Sequence, residues 1–524
     1  MRNSNQSNFY LKLFSVSSTH IELSTDYGAV GHPIDSLTGE EDTYGEVLQC
    51  CTRMAMALKD RGVVEGDVIA ICSLNTRYAT ASFLSSLFVG ATLVFLDPLL
   101  PFNDANHVMN QIDPKLIFVS EDSIDFLCNI LEGCNKTATI LRIGQCEEYV
   151  NLLQPRDGED LFIPTDIGSI EKTAFIYFSS GSTGLPKGII LSHRAFMGQV
   201  EGVRNMDACD RMLWFSRLYC SRSSVLLGLC LMKGATGILI SKFDSVKVWE
   251  AIKNHSPTIM LLTAYSLTLL CGENPTFDTQ NCSLKAIISV GNKLFAQQIL
   301  SYRKIFPNAM VTSAYGLTEI GLALRFPTST AKEIEFANTK ITSTGTVVRG
   351  ISYKVVDVDT ERVLGPGESG ELRLKSANLM DGYNTSDPLT AWDSEGWFKT
   401  GDIVYYDEDF YFYIEDRFKE IITYRHWSLS SKIMEDIIAT HPNVKNVCVL
   451  GVSKEEDIEH PMAIVTLKCE GKSDCFEDKL CKLVEERLPD EYKLRGGVRV
   501  VEAFPETSTG KIDKRRLKKL VLKS

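Results

Sequence analysis

The run from Tyr177 to Gly188 carries more chemistry per residue than any other stretch of the chain. Ser179, Ser180, Ser182 and Thr183 bring hydroxyls, Gly181 and Gly184 bring backbone freedom, and Lys187 brings a cation. Small residues let a backbone turn and aim its N–H groups inward, so the run reads as a cradle for phosphate oxygens. Gly/Ser-rich stretches also serve as plain flexible linkers, and that reading stands beside the first. The spacing is not that of G-x-x-x-x-G-K-[ST], and no helix start evidently follows. Tyr315, Gly316, Thr318 and Glu319 offer an aromatic face, a hydroxyl and a carboxylate within five residues. Thr400-Gly401-Asp402 puts a carboxylate on what reads as a tight turn, suited to a ribose diol. Ser508-Thr509-Gly510-Lys511 sets a lysine in a flexible loop. Each is weak alone; their order along one chain is specific. Gly365–Gly370 matches G-x-G-x-x-G, but a strand follows it and Pro366 sits inside it. A hairpin turn fits better than a dinucleotide fingerprint, which needs a helix next.

These residues need elements to hold them. Tyr44–Arg61 reads as an amphipathic helix. Val68–Ser73, Leu116–Val119, Ala174–Phe178, Ile238–Ile240, Ile259–Leu262 and Ala286–Ser289 read as short buried strands with helical stretches between several of them, which is α/β layering. The cradle follows the strand-like run Thr173–Phe178 and precedes Ile189–Leu191. From about Val347 the pattern alternates: Tyr353–Asp357, Glu371–Ser376, Ile403–Tyr406 and Phe410–Ile414 predict antiparallel hairpins. The last hundred residues predict a small α+β unit: helix 430–440, strands 445–452 and 462–468, helix 474–488, strand 498–501. The junction falls near Glu415–Asp416. Tyr78–Leu96 holds no charge and is long enough to raise the question of a membrane span. Its serines, Gly90 and the closing Asp97-Pro98 favour a buried helix followed by strand Thr92–Leu96. The Lys/Arg cluster from Lys514 to Lys523 reads as a solvated helix face.

Composition narrows the partners. The chain has 524 residues, 44% hydrophobic and 23% charged, ordinary for a folded protein with its own core. The net charge of −12 speaks against general nucleic-acid binding but leaves room for a few local donors around a small anion. Fifteen scattered cysteines without a C-x-x-C pair read as thiols of a reducing compartment. Cys and His never cluster at zinc spacing. The polar segment Met1–His20 does not read as a secretory signal.

With these motifs in place, the sequence resembles the adenylate-forming superfamily of acyl-CoA synthetases, 4-coumarate ligases and beetle luciferases. The likeness runs from Thr43-Tyr44 to about Arg516. It rests on Ser179–Gly188, Tyr315–Glu319, Thr400–Asp402, Asp416-Arg417-Phe418-Lys419-Glu420 and Ser508–Lys511. The resemblance implies an α/β fold. A large N-terminal AMP-binding domain (1–415) of layered α/β subdomains with a small β-barrel-like part is joined to a small mobile α+β C-terminal domain (416–524). It implies ATP, Mg²⁺, a carboxylic acid and CoA as reactants. A carboxylate attacks the α-phosphate to give acyl-AMP and pyrophosphate, and a thiol then takes the acyl group. By the same resemblance Lys511 bridges acid and phosphate, and Ser179 to Lys187 hold the β- and γ-phosphates. Thr318 and Glu319 meet Mg²⁺ and the α-phosphate, and Tyr315 stacks on adenine beside Gly316. Asp402 binds the ribose with Arg417 beside it, and Asp416 is the hinge. Lys511, Arg417 and Glu319 are thus the implied catalytic residues.

The chain departs from the family at telling places. Where relatives carry a lysine and then a glycine on the thioester-forming face, this chain has Thr423 and His426. Glycine lets a loop approach a pantetheine chain and take positive φ; histidine does so less readily. His426 also reads simply as a surface residue. The acid-pocket segment Phe215–Ser224 lacks the family's histidine, and Val290-Gly291-Asn292-Lys293-Leu294 replaces a Gly-Gly-x-Pro-Leu pattern. Three functions follow in order. The first is an acid:CoA ligase acting on a fatty or arylalkenoic acid. The second is an adenylating enzyme whose thioester step is lost or redirected. The third is a quiet nucleotide-binding paralogue. Small molecules are the expected partners, with no nucleic acid and no transmembrane segment. The expected location is cytoplasmic. Relatives also suggest the peroxisome, but Leu522-Lys523-Ser524 is not a Ser-Lys-Leu-type address.

Overall fold

A computed structural model describes residues 33–35, 41–74, 76–180, 186–203, 206–215, 218–272, 275, 277–291, 294, 296–358, 360–384, 391–417, 421–467, 475–505, 512 and 514–523. The first part alternates strand and helix: β1 (Pro33–Asp35), α1 (Tyr44–Asp60), β2 (Val68–Cys72), α2 (Arg77–Phe88), β3 (Thr92–Leu96), α3 (Phe102–Asn110), β4 (Leu116–Ser120), α4 (Ile124–Gly133), β5 (Thr139–Ile143) and α5 (Glu147–Leu152). A hairpin follows, β6 (Thr173–Ser180) and β7 (Pro186–Ser192), then α6 (His193–Gly202). Alternation resumes with β8 (Arg211–Trp214), α7 (Ser221–Lys233), β9 (Thr236–Leu239), α8 (Ser245–His255), β10 (Ile259–Thr263), α9 (Ala264–Gly272), β11 (Ala286–Val290), α10 (Ala296–Ile305) and β12 (Met310–Ser313). Next come β13 (Tyr315–Leu317), β14 (Gly321–Arg325), α11 (Ala331–Thr339), β15 (Thr346–Val347), β16 (Ile351–Val356), β17 (Gly370–Ser376), β18 (Gly382–Tyr383), β19 (Phe398–Tyr406) and β20 (Phe412–Arg417). The last unit holds β21 (Ile421–Tyr424), β22 (Trp427–Ser430), α12 (Ser431–Ala439), β23 (Val444–Lys454), β24 (Ile458–Leu467), α13 (Phe476–Glu485), β25 (Gly497–Val500) and α14 (Lys514–Lys523).

Two large sheets form the N-terminal body. One runs β18-β7-β6-β3-β2-β4-β5, the other β1-β9-β8-β10-β11-β12. The second is parallel throughout. In the first, β2 to β6 pair in parallel, while β7 and β18 are added antiparallel at the edge. Both faces are covered, so successive strand residues enter different cores. Ile69 and Ile71 of β2 face the central layer, whereas Ala70 and Cys72 meet Ala105, Val108 and Leu127 from α3 and α4. Ile259 and Leu261 of β10 likewise face the centre; Met260 and Leu262 meet Val248 and Ile252 of α8. The central layer therefore lies between the two sheets and holds Phe196 of α6 and Leu226 and Leu229 of α7.

Local chemistry explains the elements. Thr43 caps α1 in a reciprocal box with Glu46, and Val47, Cys51, Met54, Ala55 and Leu58 recur on its buried face. The uncharged stretch from Tyr78 continues a twelve-residue helix that opens at Arg77, then comes Gly90 at φ 77°, then β3. Its serine hydroxyls are satisfied within the helix: Ser82 donates to Tyr78 O at 3.0 Å and Ser86 to Ser82 O at 2.7 Å. Among the described residues no helix is long and apolar enough to cross a membrane.

The expected antiparallel, barrel-like region is built of two small sheets, β13-β14-β15 and β16-β17-β19-β20. Phe412 N–H ties them together by donating to Gly345 O at 2.8 Å. Gly365–Gly370 lies in the turn before β17, as a hairpin reading requires. One expectation is corrected. Thr400–Asp402 is not a tight turn between strands but the interior of β19, which begins at Phe398. Gly401 absorbs the local twist at φ 70°, and the pairing slips between Ile403 and Val404.

The C-terminal unit is one sheet, β22-β21-β24-β23 with β25 on β24, covered on both faces. Met434 and Leu480 from α12 and α13 pack on one face with Val449 and Val465. Leu517 and Val521 of α14 pack on the other with Cys448 and Ile464. The change from the β16–β20 sheet to this one falls between Arg417 and Ile421.

Candidate active site

The run expected to cradle phosphate leaves from β6 and returns on β7, which pair as a hairpin. Ser179 pairs with Lys187 and Ser180 with Pro186, so Lys187 flanks the tip on the outgoing strand. Gly181, Ser182, Thr183 and Gly184 lie outside the described residues. A strand leaves this tip, which is why the helix-based nucleotide loop motif is absent from the sequence. Beneath it, Phe83, Phe95, Phe175 and Tyr177 form a ring stack that anchors β6. Tyr177 also meets the Ser224 hydroxyl at the first turn of α7, tying the acid-pocket segment to the cradle strand.

Tyr315, Gly316, Thr318 and Glu319 occupy β13 and the turn into β14. A side chain on Gly316 would place Cβ 2.4 Å from Gly321 O, so only glycine lets these two short strands meet. The Tyr315 hydroxyl donates to Asp402 Oδ2 at 2.6 Å. The structure thus brings together two residues 87 apart that the motifs assigned to adenine and ribose. Asp402 is 3% exposed and its position is over-determined. Its N–H donates to Thr400 Oγ1 at 3.1 Å, and Thr400 in turn donates to Leu372 O at 2.6 Å. The neighbouring Gly401 N–H donates to Glu371 Oε1 at 3.2 Å. Glu371 is itself held by Arg373, whose Nε donates to Oε2 at 2.9 Å. Arg373 also donates to Glu361 and Asp393, which hold its guanidinium charged despite burial.

Glu319 is 9% exposed. The Tyr383 hydroxyl donates to its Oε1 at 2.8 Å. Burial, and then the adjacent carboxylate, push the Tyr383 hydroxyl well above its ordinary pKa, so it stays a donor. Oxygen donors suit Mg²⁺, which takes one or two carboxylates and relies on waters and substrate phosphates for the rest. Glu319, with one carboxylate oxygen already held by Tyr383, and Thr318, with its hydroxyl, are donors of that chemical kind. Arg417 lies opposite Asp402 in the β19–β20 register, and Asp416 opposite Ile403. Lys511 lies outside the described residues.

Thr423 and His426, which the resemblance sets on a thioester-forming face, sit on the β21–β22 hairpin. Thr423 N–H donates to Glu459 Oε2 at 2.8 Å. Arg425 and His426 form the two-residue tip, and the positive φ falls on Arg425 at 55°, one residue before the expected position. Arg425 Nε donates to Asp457 Oδ1 at 2.7 Å. Burial raises the Asp457 pKa, but His460 and Arg425 outweigh that and hold it low. The His426 ring lies 4.9 Å from Trp427 and 5.8 Å from Tyr265 of α9, across to the N-terminal body. Nearby, Gln298 Nε2 of α10 donates to Glu455 O at 3.1 Å.

Sequence reasoning missed Tyr383, Glu371 and Arg373. Tyr383 sits in a two-residue strand that meets β7 almost two hundred positions away, and no local pattern announces that. Glu371 and Arg373 alternate on one face of β17, where two charges at period two on a buried strand were the available signal.

The comparisons agree with this geometry. A family model described as AMP-binding enzyme matches residues 27–384, and one described as AMP-binding enzyme C-terminal domain matches 433–511. The chain is 30% identical over 495 residues to 4-coumarate–CoA ligase 3 of Arabidopsis thaliana, covering 92% of this chain and 87% of that one. The solved luciferase-like enzyme of the nonluminescent mealworm Zophobas morio is 29% identical, with a TM-score of 0.72 over 79% of this chain and 96% of its own. The amide bond synthetase McbA of Marinactinospora thermotolerans shares the fold at 23% identity, with a TM-score of 0.77 over 98% of this chain and 99% of its own. An ATP-dependent, adenylate-forming enzyme is the class that the fold and these matches define. The chain belongs to the AMP-binding enzyme family, the adenylate-forming superfamily of 4-coumarate–CoA ligases and luciferases.

Proposed function

We propose that the protein is an acid:CoA ligase that activates a fatty or arylalkenoic acid with ATP and passes the acyl group to CoA. The observation that carries the reading is that two carboxylates are each gripped by a tyrosine hydroxyl from a distant segment, Asp402 by Tyr315 and Glu319, four residues after Tyr315, by Tyr383. In the first step an acid oxygen bonds to the α-phosphorus and the bond to the β-phosphate breaks, releasing pyrophosphate. Tyr315 supplies the face for adenine, and Asp402 accepts from the ribose hydroxyls with Arg417 alongside. Ser179, Ser180 and Lys187, with Gly181 to Gly184, hold the outer phosphates. Lys511 brings the two anions together and steadies the charge that passes through the transition state. Mg²⁺, held by Glu319 and Thr318, supplies neutralisation of phosphate charge when bound. In the second step a thiol sulfur bonds to the acyl carbon and AMP leaves. The unit from 416 to 524 reorients about Asp416 between the steps while 1–415 keeps the nucleotide, the short 418–420 link between two separately covered sheets supporting this. A cytoplasmic site of action accompanies this reading, on the scattered thiols and small-molecule reactants.

A second reading has its own observation. His426 packs against Tyr265 where relatives carry a glycine, and Thr423 has no ammonium to offer. The acyl-adenylate would then go to another nucleophile; the neighbour McbA is named an amide bond synthetase. One assay separates the two. Protein, Mg²⁺-ATP and a panel of fatty and aromatic acids are incubated with and without CoA, and products are read by mass spectrometry. Acyl-CoA with AMP is the expected result. Acyl-AMP that persists in the presence of CoA overturns the first reading in favour of the second.

A further inference from the structure

The segment Met380–Asn384 touches two parts of the site at once. Along one edge it is stitched to the outgoing strand of the phosphate hairpin. Asp381 N–H donates to Ile190 O at 2.9 Å and Asn384 N–H to Gly188 O at 2.7 Å, with Tyr383 in register with Ile189. The approach is close: a Cβ on Gly188 would lie 2.9 Å from that of Asn384. Along the other edge the segment grips Glu319 twice. Met380 N–H donates to Glu319 O at 2.7 Å, and the Tyr383 hydroxyl donates to Oε1 at 2.8 Å.

A glutamate side chain loses rotamer freedom when it is fixed. A carboxylate already held through one oxygen has met that cost and presents the other in a set direction. Outer-sphere hydrogen bonds of this kind orient ligands in metal sites generally. The register with β7 ties the orientation of Glu319 to the strand that carries Lys187.

We propose that Tyr383 is a positioning residue that orients Glu319 toward the divalent cation accompanying the nucleotide, and so couples that cation to the phosphate hairpin. The proposal rests on the adenylating reading and on the assignment of Glu319. Tyr383 itself touches neither substrate nor cation.

The test measures binding and not turnover. ATP affinity of the full chain is determined by calorimetry in EDTA and in excess Mg²⁺, and the factor by which Mg²⁺ strengthens binding is the readout. Tyr383→Phe is expected to cut that factor roughly tenfold, as the loss of one charge-assisted hydrogen bond would. Affinity in EDTA should stay within about twofold, because ATP without the cation does not use Glu319. Glu319→Gln should cut the factor at least as far, and the double variant should be no worse than Glu319→Gln alone. Glu319→Asp, which draws the carboxylate out of reach of the hydroxyl, provides a second background where Tyr383→Phe should add nothing. An unchanged factor in Tyr383→Phe, an equal loss in EDTA, or additivity with Glu319→Gln overturns the proposal. A wild-type chain that binds no ATP in either buffer fails differently, because it removes the adenylating reading and the proposal together.

Discussion

A carboxylate recognises two neighbouring hydroxyls best when it cannot rotate, and Asp402, proposed here for the ribose, is held in that way. Its N–H is held by Thr400 and one carboxylate oxygen by the Tyr315 hydroxyl. Tyr315 therefore serves the site through its hydroxyl as well as its ring. Tyr315→Phe keeps the ring and removes the hydrogen bond. A bond to a charged group contributes about 1.5–3 kcal/mol, so the KM for ATP is expected to rise roughly tenfold. Steady-state kinetics at saturating acid measure it, and kcat should move little, since the hydroxyl is far from the transferring phosphorus in role. A lower KM would mean that the hydroxyl competes with the ribose for Asp402. Motif residues of this sort were legible because their side-chain chemistry is visible locally. Their partners were not: Tyr383 and Arg373 carry no motif, and what makes them matter is a register between strands far apart in sequence.

At the scale of elements, β17 and β19 place Asp402, the carboxylate proposed for the ribose, beside a buried charge network. Arg373 is 2% exposed and pairs with Glu371 and Asp393, themselves 9% and 7% exposed. Removing it leaves the buried Glu371 without its guanidinium partner, while Asp393 keeps Lys354 at 2.8 Å. Arg373→Met is expected to destabilise the fold by about 3–5 kcal/mol, read as a lower denaturant midpoint. It should also raise the KM for ATP, because Glu371 holds Gly401 in place. A stable variant with unchanged KM would show that β19 needs no such support. The same strand shows where sequence reading stops short. Thr400-Gly401-Asp402 looks like a turn because glycine and aspartate dominate turns. The pairing of β19 with both β17 and β20 overrides that local preference, and Gly401 survives in mid-strand by twisting. Another element carries a pH signature. His193 opens α6 directly after β7, and burial, aided by Lys172, lowers its pKa to about 4. The unfolded chain, near the ordinary 6.5, binds a proton first, so this group favours the fold above about 6.5 and ceases to between 6.5 and 4. The shift corresponds to about 3 kcal/mol lost over that window. His193→Asn should flatten the acid side of the stability profile by that amount in unfolding experiments at stepped pH; an unaltered slope would refute the assignment.

At the scale of the whole molecule the C-terminal unit meets the N-terminal body at several places among the described residues, β22 against β6 among them, and two that lie close together bear on the proposed fate of the adenylate. Gln298 of α10 meets the β23–β24 connection at Glu455, and Tyr265 of α9 meets His426 at the tip of β21–β22. Arg425 and Asp457 bind the two hairpin tips into one surface. The C-terminal unit is thus docked by the hairpin that relatives use for their thiol step. The sequence revealed the substitution at His426 but not its neighbours, since Tyr265 lies in a helix with no motif. It also located the backbone demand one residue late, because the strained φ of the two-residue tip falls on Arg425. Histidine at 426 therefore costs the turn nothing; what it changes is the space in front of Tyr265. His426→Gly is expected to leave pyrophosphate release within about twofold, because the adenylation residues lie on other elements. Transfer to CoA should rise severalfold in single-turnover chase of preformed acyl-AMP, as a glycine opens the approach for a pantetheine chain. If transfer falls instead, the His426–Tyr265 pair is a working part of the second step. The docked hairpin would then have been rebuilt around a ring contact, and the acceptor that fits it would be the one to seek with the wild-type chain.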